Sequence, residues 1–263
     1  MPIDIKTEAE KLRTMYQDTD KKYANILLTG ETGTGKSYLM STAPKPVHVD
    51  SFDPGGTLGL KKFVDKGDLI PDTSFEDEDP MDPHAFSLWR GIFEERIEGG
   101  YFDQVGTYFL DSGTTWAESI LNFCQDKKGG SGAGAVPLWN KDYHPQKVLI
   151  RNYIRKAMNL PCHFVFTGHL MPQKDKEGNV IKYRYLMTGQ GAIVIPLLFD
   201  EIWVSEMRET SKGGEFSVLL QSGGLMLARS RLLARSDGKL KINEPSNLRE
   251  ILYKAGMSYI DKP

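Results

Sequence analysis

The chain has 263 residues, 40% of them hydrophobic and 26% charged, with a formal net charge of −2. That composition suits a globular protein with ample core, as one large α/β domain or two small ones. It excludes a globally basic nucleic-acid binder, so any such surface must be local, and no apolar run approaches the length of a membrane span. Cys124 and Cys162 are far apart and match no metal spacing. With no signal peptide, they point to reduced thiols in a cytoplasmic protein.

Residues 1–24 form a polar N-terminal segment in which Leu12, Met15 and Tyr16 fall at loose helical spacing. A helix packed on the domain edge is expected there. Asn25-Ile26-Leu27-Leu28-Thr29 then has strand character, and Gly30 to Ser37 reads GETGTGKS. This fits G-x-x-x-x-G-K-[ST], the phosphate-cradling P-loop, and the following segment is helical in character until Pro44 stops it. Gly30, Gly33 and Gly35 permit backbone conformations that a Cβ would block. The turn's amides then point inward at an anion, on the positive end of the next helix. The candidate nucleotide-binding segment is therefore Gly30, Glu31, Thr32, Gly33, Thr34, Gly35, Lys36, Ser37 and Tyr38. Lys36 would reach the β- and γ-phosphates of ATP, and the Ser37 hydroxyl would hold Mg²⁺.

Val47-His48-Val49-Asp50 is a short second strand, ending in Asp50-Ser51-Phe52-Asp53-Pro54-Gly55-Gly56. Open α/β sheets place ligands at such strand ends. If this strand lies beside the P-loop strand, a carboxylate here could orient the water that attacks the γ-phosphate. The rival is a turn in which Asp caps the next helix. Asp50 also suits a structural strand-end role, which leaves Asp53 as first choice for the catalytic carboxylate. Residues 65–83 look like loop, and Glu76-Asp77-Glu78-Asp79-Pro80-Met81-Asp82-Pro83 is a charge run of the solvated kind, expected to face away from any bound strand. Residues 84–98 predict an amphipathic helix whose Phe86, Trp89, Ile92, Phe93 and Ile97 belong in the core.

Val105 to Asp111 is an apolar run ending abruptly in Asp, the form of a Walker B strand. Asp111 would take Mg²⁺ or its bound water, with Ser112 assisting, and a helix is expected from Thr115 to Gln125. Residues 127–135 are flexible by composition. Lys127 and Lys128 at their root, with Trp139 beyond, suit single-stranded DNA; a plain surface loop is the rival. Residues 145–159 predict a helix with Lys147, Arg151, Arg155 and Lys156 on one side and Val148, Leu149, Ile154 and Met158 on the other. The strand Cys162 to His169 has a polar end, where His169 or Thr167 could sense the γ-phosphate.

From Met171 to Gly191 a turn-like tip and alternating flank predict a β-hairpin. Its Lys174, Lys176, Lys182 and Arg184, mixed with tyrosines, suit a surface that tracks a nucleic-acid backbone and stacks bases, or equally a subunit contact. Strands are expected at 200–204 and, after a Lys212-Gly213-Gly214 turn, at 216–221. Arg229, Arg231 and Arg235 are candidates for an arginine finger acting across a subunit boundary, or equally surface residues or partners of DNA phosphates. The tail, with Leu248, Ile251 and Leu252, predicts a short packing helix.

In ILLTGETGTGKS, PKPVHVDSFDPGG, YFLDSGTTW, HFVFTGHL and GQGAIVIPLLFDEIWV the chain resembles the RecA-like P-loop ATPases encoded by bacteriophages. That family includes ATP-dependent single-strand annealing proteins of phage recombination. The resemblance spans roughly Ile26 to Leu252. It implies an α/β fold with a mostly parallel central sheet, helices on both faces and a β-rich C-terminal extension, forming a RecA-like ATPase domain over 25–263. The acidic position after strand two falls on Asp53, where RecA carries the longer Glu. Single-stranded DNA would bind through 127–136 and 172–190. The expected protein is an ATP- and Mg²⁺-dependent ATPase, with Lys36, Asp53, Asp111 and His169 as its catalytic set. It would work as a homo-oligomeric ring or filament, with other phage recombination or replication proteins as partners. A nucleotide or small-molecule kinase, or a non-hydrolysing nucleotide-dependent assembly factor, are the rivals.

Overall fold

The structure is a computed structural model that describes residues 4–18, 22–187, 191–211 and 213–263. Its elements run α1 (Ile5–Asp18), β1 (Asn25–Gly30), α2 (Lys36–Met40), β2 (Val47–Ser51), α3 (Lys61–Val64), β3 (Leu69–Asp72), α4 (Ala85–Glu98), β4 (Thr107–Asp111) and α5 (Gly113–Asp126). There follow a π-turn at Trp139–Tyr143, α6 (His144–Met158), β5 (His163–Lys174), β6 (Val180–Tyr185), α7 (Gly191–Leu198), β7 (Glu201–Thr210), β8 (Gly213–Leu219), α8 (Arg231–Arg235), β9 (Asn243–Pro245) and α9 (Leu248–Lys254). Thr188, Gly189, Gln190 and Lys212, on which part of the second candidate DNA loop and part of the 212–214 turn fall, lie outside the described residues.

Among the described residues the sheet has nine strands, in the order β3-β2-β4-β5-β1-β7-β8-β9, with β6 paired to β5 off this path. From β3 to β7 the neighbours are parallel; β8 and β9 return antiparallel. Helices cover both faces, and β1 shows why. Leu27 packs in a core with Trp89, Trp116 and Ile154, from α4, α5 and α6. Its neighbours Ile26 and Leu28 point the other way, into a core with Leu39, Leu248 and Leu252 from α2 and α9. A strand buried on both faces has to be apolar at successive residues, as Ile26-Leu27-Leu28 is. No helix among the described residues is long and apolar enough to cross a membrane.

Several expectations are corrected here. The second strand does not lie beside the P-loop strand: β1 pairs with β5 and β7, and β2 with β3 and β4. The 65–83 stretch is not all loop, because Leu69–Asp72 adds the edge strand β3. Its Pro71 is tolerated there because an edge strand has one side without a ladder partner. Nor is the acidic run simply solvated. Glu78 accepts from the Ala85 amide at 2.8 Å, at the start of α4, and from Asn122 Nδ2 at 3.1 Å.

The glycine-rich segment after α5 is tied down rather than loose. Gln125 Nε2 donates to the Ala135 carbonyl at 2.6 Å, and the buried Asp142 accepts from the amides of Ser131 at 3.1 Å and Leu138 at 2.7 Å. Gly130 is there for close approach, since a Cβ on it would lie 2.2 Å from the Gln125 carbonyl oxygen. Helix α6 keeps its expected apolar face through Leu149, Ile154 and Met158 and adds Ile150 and Tyr153 to it, while Val148 alone of the expected four is exposed. Helix α1 leaves Leu12 and Met15 exposed instead of packing them on the domain edge, and the side chain of Tyr16 lies outside those described.

Asp50 is fully buried, and its carboxylate accepts from Trp89 Nε1 at 2.7 Å, Tyr108 Oη at 2.7 Å and Arg96 Nη1 at 2.9 Å. Arg96 also pairs with Asp72. These bonds join β2, β3, β4 and α4, so Asp50 is a structural anchor, and Asp53 is the carboxylate left to face the site.

Candidate functional site

All six parallel strands end on the same edge of the sheet, and there β1 delivers the P-loop. The loop closes against β7: Ser205 Oγ donates to the Thr34 carbonyl at 2.7 Å, and Thr34 Oγ1 to the Glu31 carbonyl at 2.8 Å. A Cβ on Gly30 would meet the Ser205 carbonyl oxygen at 2.8 Å. Gly33 and Gly35 have φ of 82° and 91°, left-handed values that L side chains rarely adopt. Lys36 Nζ folds back over the loop and donates to the carbonyls of Gly30 at 2.9 Å and Glu31 at 2.8 Å. Burial pulls its pKa down, against the carboxylates of Asp111, Asp53 and Glu31.

Asp111 ends β4, two strands away from β1, and is only 5% exposed. Burial raises its pKa from 3.8 to about 6, and the Asp53 charge adds to that; a hydrogen bond from Thr167 and the charge of Lys36 act in the other direction. Thr167 lies on β5 between the two strands and donates to Asp111 Oδ1.

Asp53 stands two residues past β2, yet its side chain reaches the same place. It accepts from Ser112 Oγ at 2.9 Å and from Thr115 Oγ1, with His169 Nε2 at 3.5 Å. Burial pushes the Asp53 carboxyl up, but the bonds from His169, Thr115 and Ser112 outweigh it and hold the group below the usual carboxylate range. The backbone turn that carries Asp53 is itself pinned. The Phe52 amide donates to the Asp111 carbonyl at 2.6 Å, and Glu76 accepts from Ser51 Oγ at 2.7 Å and the Gly55 amide at 3.0 Å.

Lys36, Asp53, Asp111 and His169, taken from four separate stretches of sequence, are thus brought together. Ser37 follows Lys36 as the second residue of α2. Thr115 and Glu76 were missed. Thr115 carries no motif, and Glu76 sits in a run whose composition signals solvent.

The donor set fits a magnesium nucleotide. Among the described residues no group of three or more His, Cys, Asp or Glu is placed to hold a metal by itself. An ion of this kind takes few protein ligands and shares phosphate oxygens and water, so Ser37 and the buried Asp111 would suffice with a triphosphate on the loop.

The other candidates lie further out. β5 runs past His169, which is level with Gly30, and pairs with β6 as a hairpin beyond the sheet edge. Lys174, Lys176, Lys182 and Arg184 belong to that hairpin, whose tip is ordered by Asp175 accepting from the Glu177 and Asn179 amides, both at 2.9 Å. Lys127 is half-buried over the Phe123 ring, and Lys128 is exposed.

Arg229 lies at the opposite edge. Its backbone pairs with Ile202, which is level with Leu27, and its guanidinium donates to the carbonyls of Pro196 and Phe199. Arg231 pairs with Asp200 at 3.2 Å, and Arg235 ends α8 nearby in sequence. None of the three reaches its own chain's P-loop edge through the bonds described.

A sequence-family comparison matches residues 22–232 to a family described as an AAA domain. No curated protein sequence matches. Among solved structures, a KaiC-like protein from the archaeon Pyrococcus horikoshii aligns at 12% identity over 76% of this chain and 79% of its own, with a TM-score of 0.38.

Proposed function

We propose that this chain, which belongs to the AAA domain family, hydrolyses ATP and couples that hydrolysis to single-stranded DNA. One observation carries the hydrolytic half. Lys36 after β1, Asp111 at the end of β4 and Asp53 past the end of neighbouring β2 converge at one sheet edge with opposite demands on their protons. Asp111 is pushed up by burial, whereas Asp53 is held down by its donors. A buried carboxylate beside a lysine is poised for a cation, and one held ionised by its donors for orienting water.

In this reading the loop amides and Lys36 grip the phosphates, and Ser37 and Asp111 hold Mg²⁺. The ion would neutralise charge shared by the β- and γ-phosphate oxygens. Asp53 accepts a hydrogen bond from the attacking water and aligns it, while Ser112 and Thr115 fix the carboxylate's orientation. Catalysis of this type is mostly placement and charge.

The DNA half rests on the β5–β6 hairpin. It carries Lys174, Lys176, Lys182 and Arg184, with Lys182 and Arg184 on one face and Tyr183 on the other, and it continues directly from His169, which faces Asp53. Cations with aromatics suit a single strand, and the shared strand would let a bound strand bias the hydrolytic carboxylate. The protein would act in the cytoplasm as a ring or filament of identical chains, in phage-type recombination or replication with partner proteins. Phosphate release with and without single-stranded DNA, with particle size followed in parallel, is the test. Stimulation by DNA supports the proposal, and turnover indifferent to DNA contradicts it.

A further inference from the structure

We propose that the rings of Tyr38 and Phe216, with Met207 at their edge, form the platform on which the base of the bound nucleotide stacks. This deepens the phosphate reading of the P-loop and rests on it. β7 keeps register with β1 up to Thr29 and Val204, then runs on to Thr210 before β8 returns. The P-loop therefore lies along the root of a second projecting hairpin. Met207 and Phe216 are directly opposite each other in it and so share a face.

That face meets the P-loop. A Cβ on Gly35 would lie 2.6 Å from Phe216 Cδ1, so the ring lies directly against the loop. The Tyr38 ring packs on Phe216 in a stacked arrangement, with centroids 5.6 Å apart and planes 27° from parallel. Phe216 is half-buried between Gly35 and Tyr38, while Tyr38 is left 49% exposed and Met207 41%. An apolar, aromatic surface left open beside a phosphate cradle calls for a ligand with a flat apolar part and a charged part. A purine nucleotide has both. Tyr38 follows Ser37 directly, so its ring leaves the backbone where the phosphates end. The three side chains offer faces rather than an array of edge donors and acceptors, so the platform would take the purine ring without strong choice between adenine and guanine.

The test compares Mg·ATP with Mg·tripolyphosphate, which has the phosphates and no base, by calorimetric titration. Wild type should bind ATP more tightly than tripolyphosphate. Tyr38→Leu, alone and with Phe216→Leu, should weaken ATP by roughly five- to a hundredfold, the range for one lost stacking contact, and leave tripolyphosphate unchanged. Tyr38→Phe should keep ATP affinity. Equal losses on both ligands would overturn the proposal, because the rings would then only be holding the P-loop in shape. An unchanged ATP affinity in the double variant would also overturn it. If wild type bound neither ligand, the phosphate reading would fall first, and the platform with it.

Discussion

Asp111→Asn should make the free protein more stable while removing its response to Mg·ATP. The carboxylate is 5% exposed, and its pKa is raised from 3.8 to about 6 by burial and the Asp53 charge. A rise of that size corresponds to about 3 kcal/mol of destabilisation once the group is ionised in the fold. The sign follows from proton counts. Between roughly pH 4 and pH 6 the folded protein holds a proton that the unfolded chain has released, so wild-type stability falls as pH rises through that window. The cost is complete above about pH 6 and absent below about pH 4.

Asparagine carries no such proton and keeps an oxygen to accept from Thr167, while Asp53 and Glu31 still face Lys36. For a chain of this length, about 3 kcal/mol is worth roughly 5–10 °C of melting temperature. Urea unfolding of both proteins from about pH 4 to about pH 8, with and without Mg·ATP, measures it. The variant should be the more stable at neutral pH, the gap should close in acid, and nucleotide should stabilise wild type alone. A variant less stable than wild type at neutral pH, or a gap indifferent to pH, would refute the argument.

Other outcomes follow from the same geometry. Asp53→Asn should retain nucleotide binding and lose about 10²- to 10⁴-fold in turnover, read by phosphate release under saturating ATP. The acid limb of kcat/KM should fall near pH 6, set by Asp111, because Asp53 titrates below the usual carboxylate range. Arg96→Met should cost about 3–5 kcal/mol in urea unfolding, since it strands the Asp50 carboxylate in the core with one charged donor removed. Replacing Lys182 and Arg184 with alanine should weaken single-stranded DNA binding and flatten its salt dependence by up to about one unit of slope per lost phosphate contact.

The parts of the site that were legible are those where chemistry dictates residue type within a few positions. GETGTGKS is readable because left-handed turns and close backbone contact demand glycine. Asp111 is readable because a doubly buried strand must be apolar until it reaches the edge. Asp53 could be chosen over Asp50 only as a preference. What distinguishes the two is the set of donors each meets: Trp89, Tyr108 and Arg96 surround Asp50, while Ser112, Thr115 and His169 meet Asp53.

The misreadings share that cause. Glu76 and Glu78 look like solvated charge because their partners, Ser51, Gly55, Ala85 and Asn122, are distant in sequence or on another element. Residues 129–134 look loose because glycine serves close packing as readily as flexibility, and only the anchors Gln125 and Asp142 tell the two apart. Pro71 hid an edge strand, and Phe216 bore no mark of its place against Gly35 until the β7–β8 pairing put it there.

Calorimetric titration of Mg·ATP into wild type and Lys36→Ala bears most directly on whether this sheet edge is a triphosphate site. Wild type should show saturable, magnesium-dependent binding and the variant none at the same concentrations. Equal affinity in the two proteins would contradict the account.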